Sequence, residues 1–479
     1  STTSAGILLL AGNTGWTIDA NSIYQTSART AASNGTTIYG IGISNSNSGN
    51  NFSVTNNFIG GSTANCGGAA WTIGGSFSNR FNGIGLSVDT AVASSVQGNT
   101  IANFSFTSTS TSNTNSSTIL ASGIWSGIMI AAGNANVGTV AGNIIGSAAG
   151  NGSVFVTGRS SGATVNGIGV AGLGIVTIRN NKIGSITTTG STTTIATGII
   201  GIQSSSEGIV TIDSNTIGSI TTLNSLQASN ASTGNTTQIV TGVNNTGTAT
   251  AMIITNNLIA NLHNAYVPNT ANTNRIIAGI VSTGGINTIT GNTVRNLGTA
   301  ANATGSGAAA SVIGISLSVA TEGITTVSQN TVYALTNTNV TAASSVTGIY
   351  YAGPTTLENT VAGNNIYNLA LGTTSSAASV RGIHFNSGLT SIKNNFVRLG
   401  YDTAGASLIY GIPITGIYES AGASGSGIYF NSVYIGGTGV GEETGNTFAF
   451  RSDQVTANRT FENNVFVNAR SNTSAGGKH

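Results

Sequence analysis

The chain has 479 residues, of which 5% are charged and 39% hydrophobic, and a formal net charge of +2. Charge spread this thinly leaves no basic surface for nucleic acid or anionic lipid, while the apolar content is too high for intrinsic disorder. The single cysteine, Cys66, excludes an intramolecular disulfide framework and a multi-cysteine zinc site, and no run approaches the ~18 uninterrupted apolar residues of a membrane-spanning helix.

From its first residues the chain runs through thirteen copies of one six-residue stretch: a β-branched residue, two spacers, an Asn, one spacer and a second apolar residue. Ser1 opens almost directly onto the first copy, which reads as a mature or partial chain. In chain order the Asn column is Asn21, Asn57, Asn99, Asn143, Asn181, Asn215, Asn257, Asn292, Asn330, Asn364, Asn395, Asn431 and Asn464. Three residues before it stand Ile18, Val54, Val96, Val140, Ile178, Ile212, Ile254, Ile289, Val327, Val361, Ile392, Ile428 and Phe461. Two residues after it stand Ile23, Ile59, Ile101, Ile145, Ile183, Ile217, Ile259, Val294, Val332, Ile366, Val397, Val433 and Phe466. Successive Asn residues lie 31 to 44 apart. Periodicity on this scale marks a solenoid whose units share one core, so the reading is one continuous domain over 1–479.

A second column precedes each Asn: a Gly followed by Ile or Val. Its members read Gly6, Gly40, Gly83, Gly123, Gly167, Gly198, Gly242, Gly279, Gly314, Gly348, Gly382 and Gly411, with Ala449-Phe450 in the last copy. The apolar residues are mostly Ile and Val, which favour strands, and no helix-length period of 3.6 appears. Each repeat therefore reads as one coil of short strands, the coils stacking by parallel ladder bonding. The expected fold is an all-β, single-stranded right-handed parallel β-helix of about thirteen coils, a rod on the order of 60 Å long.

This architecture gives each column a role. The −3 and +2 residues point inward. The −1 residue is mostly Asn or Gly, types that tolerate φ > 0 at a sharp corner, and the Gly before each Ile is expected to permit another tight corner. The Asn column forms a ladder, each amide bonding the next coil; a buried amide left unpaired would cost a few kcal/mol. The −2 column faces solvent, where Arg179 and Asp213 meet as a surface pair in adjacent coils.

The pattern of Gly-Ile-x-x alternating with an Asn-x-Ile segment resembles the right-handed parallel β-helix repeat proteins related in fold to pectate lyases. Asn65-Cys66-Gly67-Gly68 with Trp71-Thr72 looks like long secreted surface proteins of Bacteroidetes-type bacteria. So does Asn463-Asn464-Val465-Phe466-Val467-Asn468-Ala469-Arg470-Ser471 with Gly477-Lys478-His479. The resemblance implies an extracellular or cell-surface location, and Asp89-Thr90-Ala91 and Asp402-Thr403-Ala404 look like the O-glycan acceptor triplet of such proteins.

Enzymes of this fold, as the resemblance implies, cut acidic polysaccharides with acids clustered on neighbouring coils. Here the densest acids, Glu442, Glu443 and Asp453, lie in the last loop and its flank, where they read as solvated residues. His263 in a loop, His384 in a strand and the terminal His479 are too far apart in the repeat order to share a site. No catalytic residue, metal or cofactor is expected. Aromatic residues concentrate in the C-terminal third, at Tyr350, Tyr351, Phe385, Tyr401, Tyr410, Tyr418, Tyr429, Phe430 and Tyr434. Bulkier core filling is one reading of them; the other is an exposed strip that stacks on sugar rings or a partner surface. Tyr350, Tyr429 and Tyr434 are the candidate contacts, with Tyr429 pointing out where Ile428 points in.

The expected role is structural, an adhesin stalk or filament subunit whose Ser/Thr/Asn-rich loops, such as 107–117 and 221–237, make weak surface or glycan contacts. The expected partners are copies of itself stacked end to end, or the continuation of a longer chain, with no nucleic acid and no membrane insertion. A polysaccharide-binding or polysaccharide-degrading protein is the alternative.

Overall fold

The computed structural model describes residues 3–111, 123–234, 236–268, 270–320, 323–441 and 445–473. Among them there are strands throughout and a single short 3-10 turn, Gly307–Ala309. Glu442, Glu443 and His479, with part of the 107–117 loop, lie outside the described residues. By contacts the chain forms two compact units, Ser1–Ile253 with Asn261–His263, and Ile254–Ala260 with Asn264–His479.

Each unit is a parallel β-helix whose coils contribute one strand to each of the first two sheets and one or two short strands to the third. In the first unit the first sheet runs Thr3–Leu9, Thr37–Asn45, Arg80–Val88, Trp125–Ala132, Ala163–Val170, Thr197–Ser204 and Val240–Asn245, neighbours in sequence being neighbours in space. In the second unit it runs Ile277–Ser282, Val312–Ser318, Ser345–Ala352, Ser379–Ser387, Ile414–Glu419 and Thr447–Ser452. The second sheet holds the residues before each Asn and the third those after it. Side chains alternate across a strand. The register therefore stacks Ile41 on Ile84 in one unit and Ile315 on Ile349 and Ile383 in the other, all fully buried. Full burial of each such side chain contributes about 1.5–3 kcal/mol.

The corner between the second and third sheets is one residue in the left-handed region. Asn56, Gly98, Asn180, Asn256, Gly291, Gly363 and Asn394 take it with φ between 53° and 71°. Ala20, Ser214, Gln329 and Phe430 take the same conformation, at φ 55°, 57°, 56° and 54°. The corner is thus set by the coil and favoured, not dictated, by Asn or Gly.

The Asn residues that follow these corners form a continuous chain of amides within each unit. Asn57 donates its backbone N–H to Asn99 Oδ1 at 2.9 Å and its Nδ2–H to the same oxygen at 3.0 Å. Its other Nδ2–H reaches the Ile18 carbonyl of the preceding coil at 2.9 Å. The rung recurs from Asn21 to Asn215 in the first unit, and from Asn257 to Asn464 in the second. Each inner Oδ1 accepts two hydrogen bonds and each inner Nδ2 donates two, so amides that are essentially fully buried are fully satisfied.

Two columns depart from the sequence reading. In the fourth copy the inward −3 position belongs to Val137, fully buried, whereas Val140 is 88% exposed. Residues 138–142 stand where the other copies have two, an insertion of three, and Gly138, at φ 78°, takes the left-handed corner in place of Gly142 at the −1 position. Gln97 holds this insertion: its Oε1 accepts from the backbone N–H groups of Val140 (3.0 Å) and Ala141 (3.3 Å), and its Nε2 donates to the Asn136 carbonyl (2.9 Å). Gln97 and Asp213 are buried members of the −2 column, contrary to the solvent-facing position expected of it. Asp213 also receives Arg179 Nε at 2.9 Å.

The glycine column is the second departure. In copies four, six and twelve a second Gly-Ile follows the first, and Gly127, Gly201 and Gly416 occupy the stacked position in place of Gly123, Gly198 and Gly411. These column glycines lie inside strands with no positive φ, so they are not corners. They are places where a Cβ has no room. At Gly314 it would lie 2.3 Å from Val332 Cγ1 and 2.5 Å from the Gly348 carbonyl; at Gly167, 2.4 Å from Ile183 Cγ2 and 2.5 Å from the Gly201 carbonyl. The +2 Ile or Val of the Asn motif fills the space each glycine leaves. The two sequence columns are thus one packing unit.

Candidate functional site

Three candidate tyrosines stand on three different sheets. Tyr350 lies in Ser345–Ala352 of the first sheet and is 7% exposed. Tyr429 closes Gly427–Tyr429 of the second sheet, half-buried and in register with Lys393 and Glu462. Tyr434 lies in Ser432–Ile435 of the third sheet, in register with Arg398. The structure does not bring them together. Of the other aromatics, Tyr351 and Phe385 are buried in the core. Tyr333 and Tyr367 stack face to face at 4.8 Å and 6°, so each covers a face of the other. Arg398 lies over the Tyr401 ring at 3.9 Å. His263 stands in the strand Leu258–Asn264, not in a loop.

What the fold does assemble is a polar column on the outer face of the first sheet in the second unit. The residue after each inward Ile points outward, and the register places Ser316, Tyr350, His384, Tyr418 and Arg451 side by side in successive coils. Tyr350 meets His384 edge to face at 5.1 Å and His384 meets Tyr418 at 4.7 Å. The turn at Gly307 covers the first two: a Cβ there would lie 3.3 Å from Tyr350 Cε2 and 3.6 Å from His384 Cε1. The column opens toward Tyr418 and Arg451. Around it gather five charged residues of a chain with only 14 basic and 12 acidic ones.

Hydrogen bonds fix most of these groups. Arg451 grips Asp453 through Nε (2.8 Å) and Nη2 (2.9 Å), and the Tyr418 hydroxyl donates to Asp453 Oδ2 at 2.7 Å. The Arg451 and Tyr418 hydrogen bonds hold the Asp453 carboxyl below its ordinary pKa. Burial, then the bond to Asp453, raises that of Tyr418. Glu419, 1% exposed, pairs with Arg459 and accepts from the Ser452 hydroxyl at 2.7 Å. Ser420 donates to Asn386 Oδ1 at 2.9 Å and so accepts from His384 Nε2–H at 2.8 Å. His384 Nδ1 is left facing Arg381 Nη1 at 3.5 Å. Burial and the Arg381 charge push the His384 pKa down to about 3, so the ring is neutral at ordinary pH. As the hydrogen-bond donor to Ser420, the neutral ring is not set to take that hydroxyl's proton.

Arg381 is held by weaker contacts. It donates Nη1–H to His384 Nδ1 at 3.5 Å, its guanidinium packs on the Tyr418 ring at 4.8 Å, and burial lowers its pKa. Among the described residues no carboxylate stands within ion-pair distance of it. The sequence carried a signal for this column. Aligned on the stacked residues Gly348, Gly382, Gly416 and Ala449, the second residue after each reads Tyr350, His384, Tyr418, Arg451. The Gly411-Ile412 pair ahead of Gly416 puts one coil out of step and hides the alignment.

No protein-family model matches the chain, and neither a curated protein nor a solved structure similar to it was found.

Proposed function

We propose that this is an extracellular structural protein of a bacterial surface, an adhesin stalk or filament subunit built as a β-helix. The observation that carries the reading is that every recurrent residue serves the stacking of coils. The Asn column forms the amide chain, the Gly column makes room, and the Ile and Val residues fill the interior. Repetition is thus spent on a scaffold, with loops of Ser, Thr and Asn as its outer surface. The likeness of the Asn65–Gly68 and Asn463–Ser471 stretches to secreted surface proteins supports the location, and copies of the chain stacked end to end, or a longer parent chain, suit a stalk. Fold alone does not assign activity.

Immunogold labelling of intact cells that make the protein, with negative-stain microscopy of the material they release, tests the reading. Label on the cell exterior, on slender projections or fibres, is the expected result. Label confined to the cell interior would overturn it.

A further inference from the structure

We propose that Arg381 is the anchor of a docking surface for an acidic peptide segment of a partner protein, with Tyr418, Phe448 and Arg451 as its flanks. Among the described residues no carboxylate pairs directly with this half-buried guanidinium, and Asp453, the acid whose charge it feels, is gripped by Arg451, so the cost of desolvating Arg381 is only partly offset. Arg381 nevertheless occupies a strand position in register with Thr347 and Thr415, where neutral residues serve in the coils on either side. Arg451 and Asp453 neutralise one another, leaving one positive charge on the patch. The planar fork of Arg381 fits a carboxylate through two parallel N–H···O bonds.

The flanks indicate a peptide over a glycan. Tyr418 already carries Arg381 at 4.8 Å and Arg451 at 5.3 Å, and its hydroxyl is tied to Asp453, which leaves little ring for a sugar to stack on. Phe448 is 36% exposed, with the Arg451 guanidinium 5.7 Å from its ring, and offers apolar contact beside the charge. Tyr, Arg and Phe around one desolvated charge is the composition of a protein–protein hot spot.

The experiment titrates an end-blocked hexaglutamate peptide into the whole chain at low and at physiological ionic strength, for the wild type, Arg381→Gln, Arg381→Lys and Arg159→Gln. Wild type and the exposed-site control Arg159→Gln are expected to bind alike, Arg381→Gln at least tenfold more weakly, and Arg381→Lys in between. The melting temperature of Arg381→Gln without peptide should equal or exceed that of wild type, because a desolvated charge with no direct ion pair among the described residues has been removed. A fall in that temperature would make Arg381 a structural residue and overturn the proposal. So would equal peptide affinity in Arg381→Gln, or absence of binding to wild type. Arg381-dependent binding of an oligogalacturonate in place of the peptide would reject the peptide partner. The variant Glu442→Gln/Glu443→Gln tests the chain's own acids as occupant: unchanged peptide affinity supports an external partner, and a marked gain overturns it.

Discussion

Replacing Asn330 by alanine is expected to destabilise the second unit by at least about 3 kcal/mol, since two or more buried groups lose their partners at about 1–3 kcal/mol each. Asn330 Oδ1 accepts both the backbone N–H and the Nδ2–H of Asn292, each at 3.0 Å, while its own Nδ2 donates to the Ile289 carbonyl at 2.9 Å and to Asn364 Oδ1 at 3.0 Å. Alanine removes all four bonds at once, in a place that water does not reach. The loss exceeds that of an ordinary hydrogen bond because the neighbouring rungs are left with unpaired donors. Thr326→Ala, on the outer face of a neighbouring strand, is the control and should change stability by about 0.5 kcal/mol or less. Denaturant titration of both variants, followed by circular dichroism, checks this; equal shifts in midpoint would remove the ladder from the account.

The second large effect is expected at a glycine. In Gly83→Ala the new Cβ would lie 2.5 Å from the Gly127 carbonyl and 2.9 Å from two methyls of Ile101. Ile101 can be trimmed, but the carbonyl belongs to the next coil's backbone and cannot move without breaking the ladder. Overpacking of this kind costs about 1–3 kcal/mol when side chains can adjust, and here it is expected to reach the upper end or prevent folding. Gly74→Ala, whose nearest neighbour would be 4.0 Å away, should be neutral. Adding Ile101→Ala to Gly83→Ala should recover only part of the loss. Solubility and melting temperature of the three variants decide it: a Gly83→Ala protein as stable as wild type would show that the column is not required.

Much of the fold was legible because the constraints repeat. A buried Asn rung works only if every coil supplies one, so the column stands out against loops that vary freely. The same logic fails wherever one coil departs from the rest. Val140 satisfies the spacing rule but sits on an insertion, and only the core position of Val137 shows which valine the coil uses. In three coils the first Gly-Ile pair is not the stacked one, and spacing alone does not say which glycine faces the neighbouring carbonyl. The role assigned to these glycines, a corner, also differed from the one observed. Composition identifies a glycine but not whether φ or the absence of Cβ is what matters.

The candidate surface was less legible for a related reason. Tyr350, Tyr429 and Tyr434 look alike as an aromatic concentration, yet a β-helix sends residues a few positions apart to different sheets. Arg381, His384, Tyr418, Arg451 and Asp453 span about seventy residues of sequence, and only correct alignment of three coils makes them neighbours. A function carried by non-repeating residues on a repeating frame is read last, because periodicity says nothing about the residues that break it.

Amide hydrogen exchange across both units tests the central claim most directly, namely that the Asn chain holds the coils together. The backbone N–H groups of Asn57, Asn99, Asn143 and Asn181 in the first unit, and of Asn292, Asn330, Asn364 and Asn395 in the second, all donate to the Oδ1 of the next Asn. They are expected to be among the slowest in their units, exchanging only when the unit unfolds as a whole. Exchange of these amides at rates typical of the exposed loops, while the strand amides around them stay protected, would contradict the account.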